Sequence, residues 1–119
     1  MANEKELFAR IKGHIYNLEH ENYSLSQEIA LIKETENLVK ELMGMLEHDA
    51  KEHAKDLLKN LEKYRAKFLE EFQTLEQKKH ALDSYQAKKL ARKAYVLDMN
   101  RKALLADAWN KLGEISYAI

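Results

Sequence analysis

No proline interrupts these 119 residues, and only three of them are glycine. Proline removes a backbone donor and clashes with the preceding turn, so without it any helix must be stopped by capping chemistry alone. Cysteine is absent too. That excludes disulfides, thiolate metal sites and thiol nucleophiles, and fits a reducing cytoplasm. No stretch approaches the ~18 uninterrupted apolar residues of a membrane span, and the first ten residues are polar where a signal peptide would carry an apolar run. Gly13, Gly44 and Gly113 lie too far apart to form a phosphate-cradling loop, and no G-x-S-x-G occurs. Twenty basic side chains balance twenty acidic ones, so no net charge draws the whole chain to nucleic acid or anionic lipid. These exclusions lead to the expectation of a soluble, cytoplasmic protein without a cofactor.

What remains is a set of helices. Ile11, Leu18, Leu25, Ile32, Val39 and Leu46 recur every seven residues, with Ile15, Ile29, Met43 and Ala50 interleaved and Asn22 and Glu36 as polar intrusions. Apolar residues alternately four and three apart form one stripe on a helix, and sustained repetition implies packing against another helix at a shallow angle. Breaks are placed by caps. Gly44 with the capping-box pair Asp49 and Glu52 marks one, Leu82 to Ser84 marks a second, and Gly113 ends the last helix. Ser24 with Gln27 offers another box near Asn22, but the heptad runs through it in register. The reading is an all-α fold: one domain, an antiparallel three-helix bundle with a long first helix. Its helices lie near 3–46, 50–81 and 84–112, with a short tail at 113–119. The alternative is a four-helix bundle split near Asn22–Ser24.

Helix lengths raise a further expectation. At 1.5 Å per residue the first helix would measure about 65 Å and the others about 45 Å. An overhang carrying Leu7, Phe8, Ile11, Ile15 and Leu18 would need a partner, most simply a second copy in a homodimer. The second helix presents Leu57, Leu58, Leu61, Tyr64, Phe68, Leu69, Phe72 and Leu75 as core. The third presents Ala87, Leu90, Ala91, Ala94, Leu97, Leu104, Leu105, Ala108, Trp109 and Leu112. Glu36 and Arg101 fall at similar heights on facing stripes and are expected to form a buried pair that fixes register; the competing partner for Arg101 is Asp98, one turn earlier.

Two clusters could carry function. His48, Asp49, Glu52 and His53 form i,i+4 pairs able to grip a divalent metal, yet zinc needs three or four convergent ligands, and a polar, solvated helix start is the favoured reading. Lys78, Lys79, Lys88, Lys89, Arg92 and Lys93 form a basic patch, and Tyr85, Val96, Met99 and Ala103 fall on the same outward side of the last helix. Apolar groups interleaved with basic ones suit a protein partner better than a nucleic-acid groove. No assembled nucleophile, base or metal set argues for an enzyme. The expectation is therefore a non-catalytic interaction module (adaptor, chaperone or inhibitor), the alternative a nucleic-acid or anionic-membrane binder working through residues 78–93. In size and helical pattern the chain is similar to small export chaperones, spectrin-like three-helix modules and helical phage inhibitors, none of which supplies a motif to map onto it.

Overall fold

Two side-chain caps set the first half of the fold. The Asn3 side chain accepts the Glu6 amide at 2.9 Å and starts α1, Glu4–His20. Ser24 starts α2, Leu25–Met43, through a complete capping box: its Oγ accepts the Gln27 amide at 3.2 Å, and the Gln27 side chain accepts the Ser24 amide at 3.0 Å. The computed structural model describes residues 3–69, 74 and 84–119. Beyond α2 it contains α3, His48–Lys63, which runs on as a π-helical turn over Tyr64–Leu69, and α4, Ser84–Ser116. The described residues form four helices and no strand.

The long first helix is thus two helices, and four replace the expected three. A single helix over 3–46 would measure about 65 Å, longer than the 53 Å long axis of the molecule. The repeat survives the break because a short turn happens to keep count. The chain reverses at Glu21–Ser24, where the Ser24 box, worth about 1 kcal/mol, has no competing apolar contact to hold the helix straight. Folding back hides the whole α1 stripe. Leu7, Ile11, Ile15 and Leu18 are buried and Phe8 is half-buried, so these five residues belong to the chain's own core and not to an exposed dimer seam. The α2 core row is Glu28, Ile32, Thr35, Val39 and Leu42, while Ile29 and Met43 are only half-buried.

The other boundaries also move. Gly44 does end α2, but α3 starts at His48 behind Glu47 with no side-chain cap, so the Asp49–Glu52 box does not form. His48 itself has φ 54°, a left-handed conformation that histidine enters more readily than most residues. Gly113 does not stop the last helix. Ile115 continues the stripe of Leu105, Ala108 and Leu112 into the core, and burying a side chain of that size outweighs the ~1 kcal/mol that a mid-helix glycine costs. Of the expected core of the last helix, Ala87 and Ala91 are exposed and Trp109 lies at the surface. Phe72, Leu75, Leu82, Asp83 and the side chain of Phe68 lie outside the described residues.

In space α1 packs on α2 and α4, and α3 packs on α2 and α4, which closes a ring around one apolar cluster fed by every helix. At about 50 Å, the 33-residue α4 runs nearly the length of the molecule.

Burying the four large α1 side chains is worth about 6–12 kcal/mol as an upper estimate, comparable with the whole stability of a domain this size. Deletion of residues 1–21 is therefore expected to abolish cooperative folding, read as loss of a sigmoidal urea transition in circular dichroism. A truncated chain that still unfolds cooperatively would contradict this packing.

Candidate functional site

Several polar side chains enter the apolar core, among them Glu28, Thr35, Glu36 and Asn60, and Glu28 belongs to a polar belt centred on Arg101 of α4. From α2, Glu28 enters the core one turn after the Ser24 cap; from the first residue of the π-helical turn, Tyr64 enters fully buried. The Tyr64 hydroxyl donates to Glu28 Oε1. Arg101 Nε donates to the same carboxylate oxygen at 2.9 Å and to the Tyr64 oxygen at 2.6 Å, while its Nη2 donates to Glu28 Oε1 at 2.5 Å. Nη2 also lies 3.4 Å from the Leu18 carbonyl, one of the last-turn acceptors of α1 that a helix cannot satisfy internally. Nη1 reaches Asp98 at 3.3 Å, so the one-turn partner read from the sequence is present as well. The guanidinium sits 5.9 Å from the Tyr64 ring centre, within cation–π range.

Glu36 does not join this cluster. It is held by Arg65, through Nε to Oε2 at 2.8 Å and Nη2 to Oε1 at 3.2 Å, a two-point grip of the kind guanidinium makes best. The expected Glu36–Arg101 pair is thus exchanged for Glu28–Arg101 and Glu36–Arg65. The split at Ser24 is the reason. Once α2 begins at Leu25, Glu28 falls on the row of Ile32, Thr35 and Val39, and α1 rather than a straight extension lies beside it. Two further polar contacts tie α3 to α4: Asn60 Nδ2 donates to Asp107 at 2.8 Å, and His53 Nδ1 lies 2.9 Å from Glu114. Seven residues forward on α3 match seven backward on α4, as antiparallel pairing at a fixed register requires.

Chemically the belt is locked. Burial first, then the neighbouring Glu28 carboxylate, pushes the Tyr64 hydroxyl well above the ordinary phenol range, against the opposing pull of Arg101. For Arg101, burial works against the charge, but Tyr64 and Glu28 outweigh it and raise the guanidinium above its usual value. Both groups keep their protons through the physiological range. An open groove of about 470 Å³ lies over the belt, lined by Glu19, Asn22, Tyr23, Glu28, Asp98 and Arg101 among others.

The metal candidates do not converge. His53 faces Glu114, Glu52 lies 3.6 Å from Lys55, and His48 and Asp49 are exposed. Among the described residues no group of three or more histidine, cysteine, aspartate or glutamate side chains is placed to hold a metal ion. No helix there is long and apolar enough to cross a membrane.

The outward face of α4 is a different matter. Tyr85, Lys88, Lys89, Arg92, Lys93, Val96 and Met99 are all exposed, and Tyr95 with them; Lys78 and Lys79 lie outside the described residues. Tyr85 is 73%, Tyr95 67%, Val96 54% and Met99 54% exposed, values that leave these groups uncovered among the described residues. A smaller aromatic patch joins α1 to α4: Tyr16 stacks on His20, lies 6.5 Å from Trp109 and leaves Lys12 5.8 Å over the Trp109 ring. Sequence reasoning missed Glu28, Arg65, Asn60 and this patch. Only Glu28 carried a readable signal, its place on the α2 core row.

Comparison with protein-family models, with curated proteins and with solved structures finds no match for this chain.

The raised Tyr64 proton affinity makes stability depend on alkaline pH. An unfolded phenol titrates near 10.0, so the contribution is complete below that pH and is lost as pH rises toward the higher folded value. Wild-type stability is expected to fall above pH 10 by up to about 1.4 kcal/mol per pH unit more steeply than that of Tyr64→Phe. Urea midpoints at pH 8 to 11.5 check this, and equal slopes in the two proteins would contradict it.

Proposed function

We propose that the protein is a non-catalytic helical interaction module, an adaptor, chaperone or inhibitor, that offers the outward face of α4 to a protein partner. The observation that carries this reading is the run of exposed apolar side chains, Tyr85, Tyr95, Val96 and Met99, set among Lys88, Lys89, Arg92 and Lys93 on one helix. Scattered surface hydrophobics are ordinary, but Tyr95, Val96 and Met99 exposed within two turns and flanked by cations mark a contact site. The remaining features support the same class. The buried titratable groups are locked into structural pairs, and the chain lacks the cysteine and glycine-loop chemistry of many enzymes. Lack of cysteine also suits a reducing cytoplasm.

Self-association through Leu7, Phe8, Ile11, Ile15 and Leu18 is not part of the proposal, because those side chains are spent on the core. The second reading, binding to nucleic acid or an anionic membrane, draws on the same four basic residues of α4 together with Lys78 and Lys79. Neutral overall charge and the apolar groups between the cations weigh against it.

Quantitative affinity capture from the native host with wild type, Val96→Ser/Met99→Ser and Trp109→Ala is the test. A protein retained by wild type and Trp109→Ala, and depleted at least tenfold by the α4 variant, is expected. Salt-sensitive recovery of nucleic acid or phospholipid instead would support the second reading, and identical captures by all three would remove the α4 site.

A further inference from the structure

Building on the reading of α4 as a contact face, we infer that its occupant is an acidic amphipathic helix of another protein, lying along α4 as a fifth helix. From Leu97 onward the inner side of α4 is committed: Leu97, Leu105, Ala108, Leu112 and Ile115 fill the core and Arg101 holds the polar belt. The outer side has its own periodicity. Tyr85, Arg92 and Met99 are seven residues apart, with Lys88 or Lys89, Val96 and Ala103 at the interleaved positions. This is the spacing at which one helix receives the side chains of another lying nearly parallel to it. The row covers about 27 Å of helix, five turns, enough for a helix of two to three heptads.

Charge selects the occupant. Between Ser84 and Ala103 there are six basic side chains and one acidic one. Arg101 turns inward to Glu28, and Lys102 is matched by Asp98 at 3.2 Å. Lys88, Lys89, Arg92 and Lys93 are left, and none makes an ion pair among the described residues. A second copy docking this face on itself would set basic row against basic row across a two-fold axis, which repels. A phosphate backbone would answer the cations but leave Tyr95, Val96 and Met99 facing water-rich groove edges without burial. A helix with an apolar stripe flanked by glutamate or aspartate answers both halves of the surface at once.

The test uses the full chain and three labelled probes in fluorescence anisotropy. One is a peptide of about three heptads with leucine at the seam positions and glutamate flanking them; the second is the same peptide with lysine for glutamate; the third is a short DNA duplex. The glutamate peptide is expected to bind at least tenfold more tightly than the lysine peptide and the duplex. Val96→Glu/Met99→Glu should weaken that binding at least tenfold. Reversing these four cations (Lys88→Glu, Lys89→Glu, Arg92→Glu, Lys93→Glu) should turn the preference toward the lysine peptide. All these positions face outward, and unchanged circular dichroism and urea midpoints confirm that each variant is folded. Equal binding of both peptides, tighter binding of the duplex, affinity unmoved by the variants, or a wild-type dimer in light scattering that Val96→Glu/Met99→Glu dissolves would each overturn the inference. If the glutamate peptide fails while host capture still depends on Val96 and Met99, the acidic-helix inference falls and the interaction-module reading stands.

Discussion

Arg101 links the buried carboxylate of α2 to three other parts of the bundle. Its guanidinium is held by a buried carboxylate from α2, a buried phenol from the π-helical turn and a carbonyl from the last turn of α1, so a single side chain of α4 touches every other layer of the bundle. Arg101 keeps some contact with water, but the Glu28 carboxylate is buried and is tolerated only while its cation is in place; remove Arg101 and several kcal/mol of desolvation is left uncompensated. The helix ends reinforce the arrangement. Glu28 lies in the first turn of α2, where the dipole favours an anion, and Arg101 meets the carbonyl end of α1, where it favours a cation. The pair therefore specifies how α1, α2, α3 and α4 meet more than it adds to total stability.

Register propagates from that point. Along the α3–α4 seam Asn60–Asp107 and His53–Glu114 follow, one seven-residue step apart from each other, and a slip of one turn would strand both together. Beside the belt, Glu36–Arg65 pins α2 to the π-helical turn. The π-helical stretch is itself informative. Such turns are rare and tend to occur where a helix must present side chains that regular geometry would not bring together, and here adjacent Tyr64 and Arg65 each meet a different glutamate of α2. From Leu97 onward the inner side of α4 is fixed in this way, and Val96 and Met99 on its outer side are uncovered among the described residues.

The all-helical class was legible from the apolar period and the lack of proline, and helical projection alone separates Val96 and Met99, which are exposed, from Leu97, which is buried. The break at Ser24 was visible only as a capping box. The heptad overruled it, since a periodic stripe reports which face is apolar but not whether the chain keeps going straight. That one choice decided the fate of Leu7 to Leu18 and of Glu36. Straight, α1 needs a second copy and Arg101 needs Glu36; folded back, α1 enters the core and the nearest carboxylate becomes Glu28. Pairings such as Arg65 with Glu36 and Asn60 with Asp107 link residues 29 and 47 positions apart, a separation that local pattern does not encode.

The register role of the buried pair is most directly tested by a double-mutant cycle on Glu28→Gln and Arg101→Met, followed by urea denaturation at neutral pH. Arg101→Met leaves the buried Glu28 carboxylate without its cation, a loss of about 3–5 kcal/mol, whereas Glu28→Gln leaves Arg101 with Asp98 and partial solvent contact and should cost less. The double variant should recover part of that, with a coupling energy on the order of 1–3 kcal/mol. Additive losses, with no recovery in the double variant, would contradict the claim that Arg101 and Glu28 hold the four helices in register.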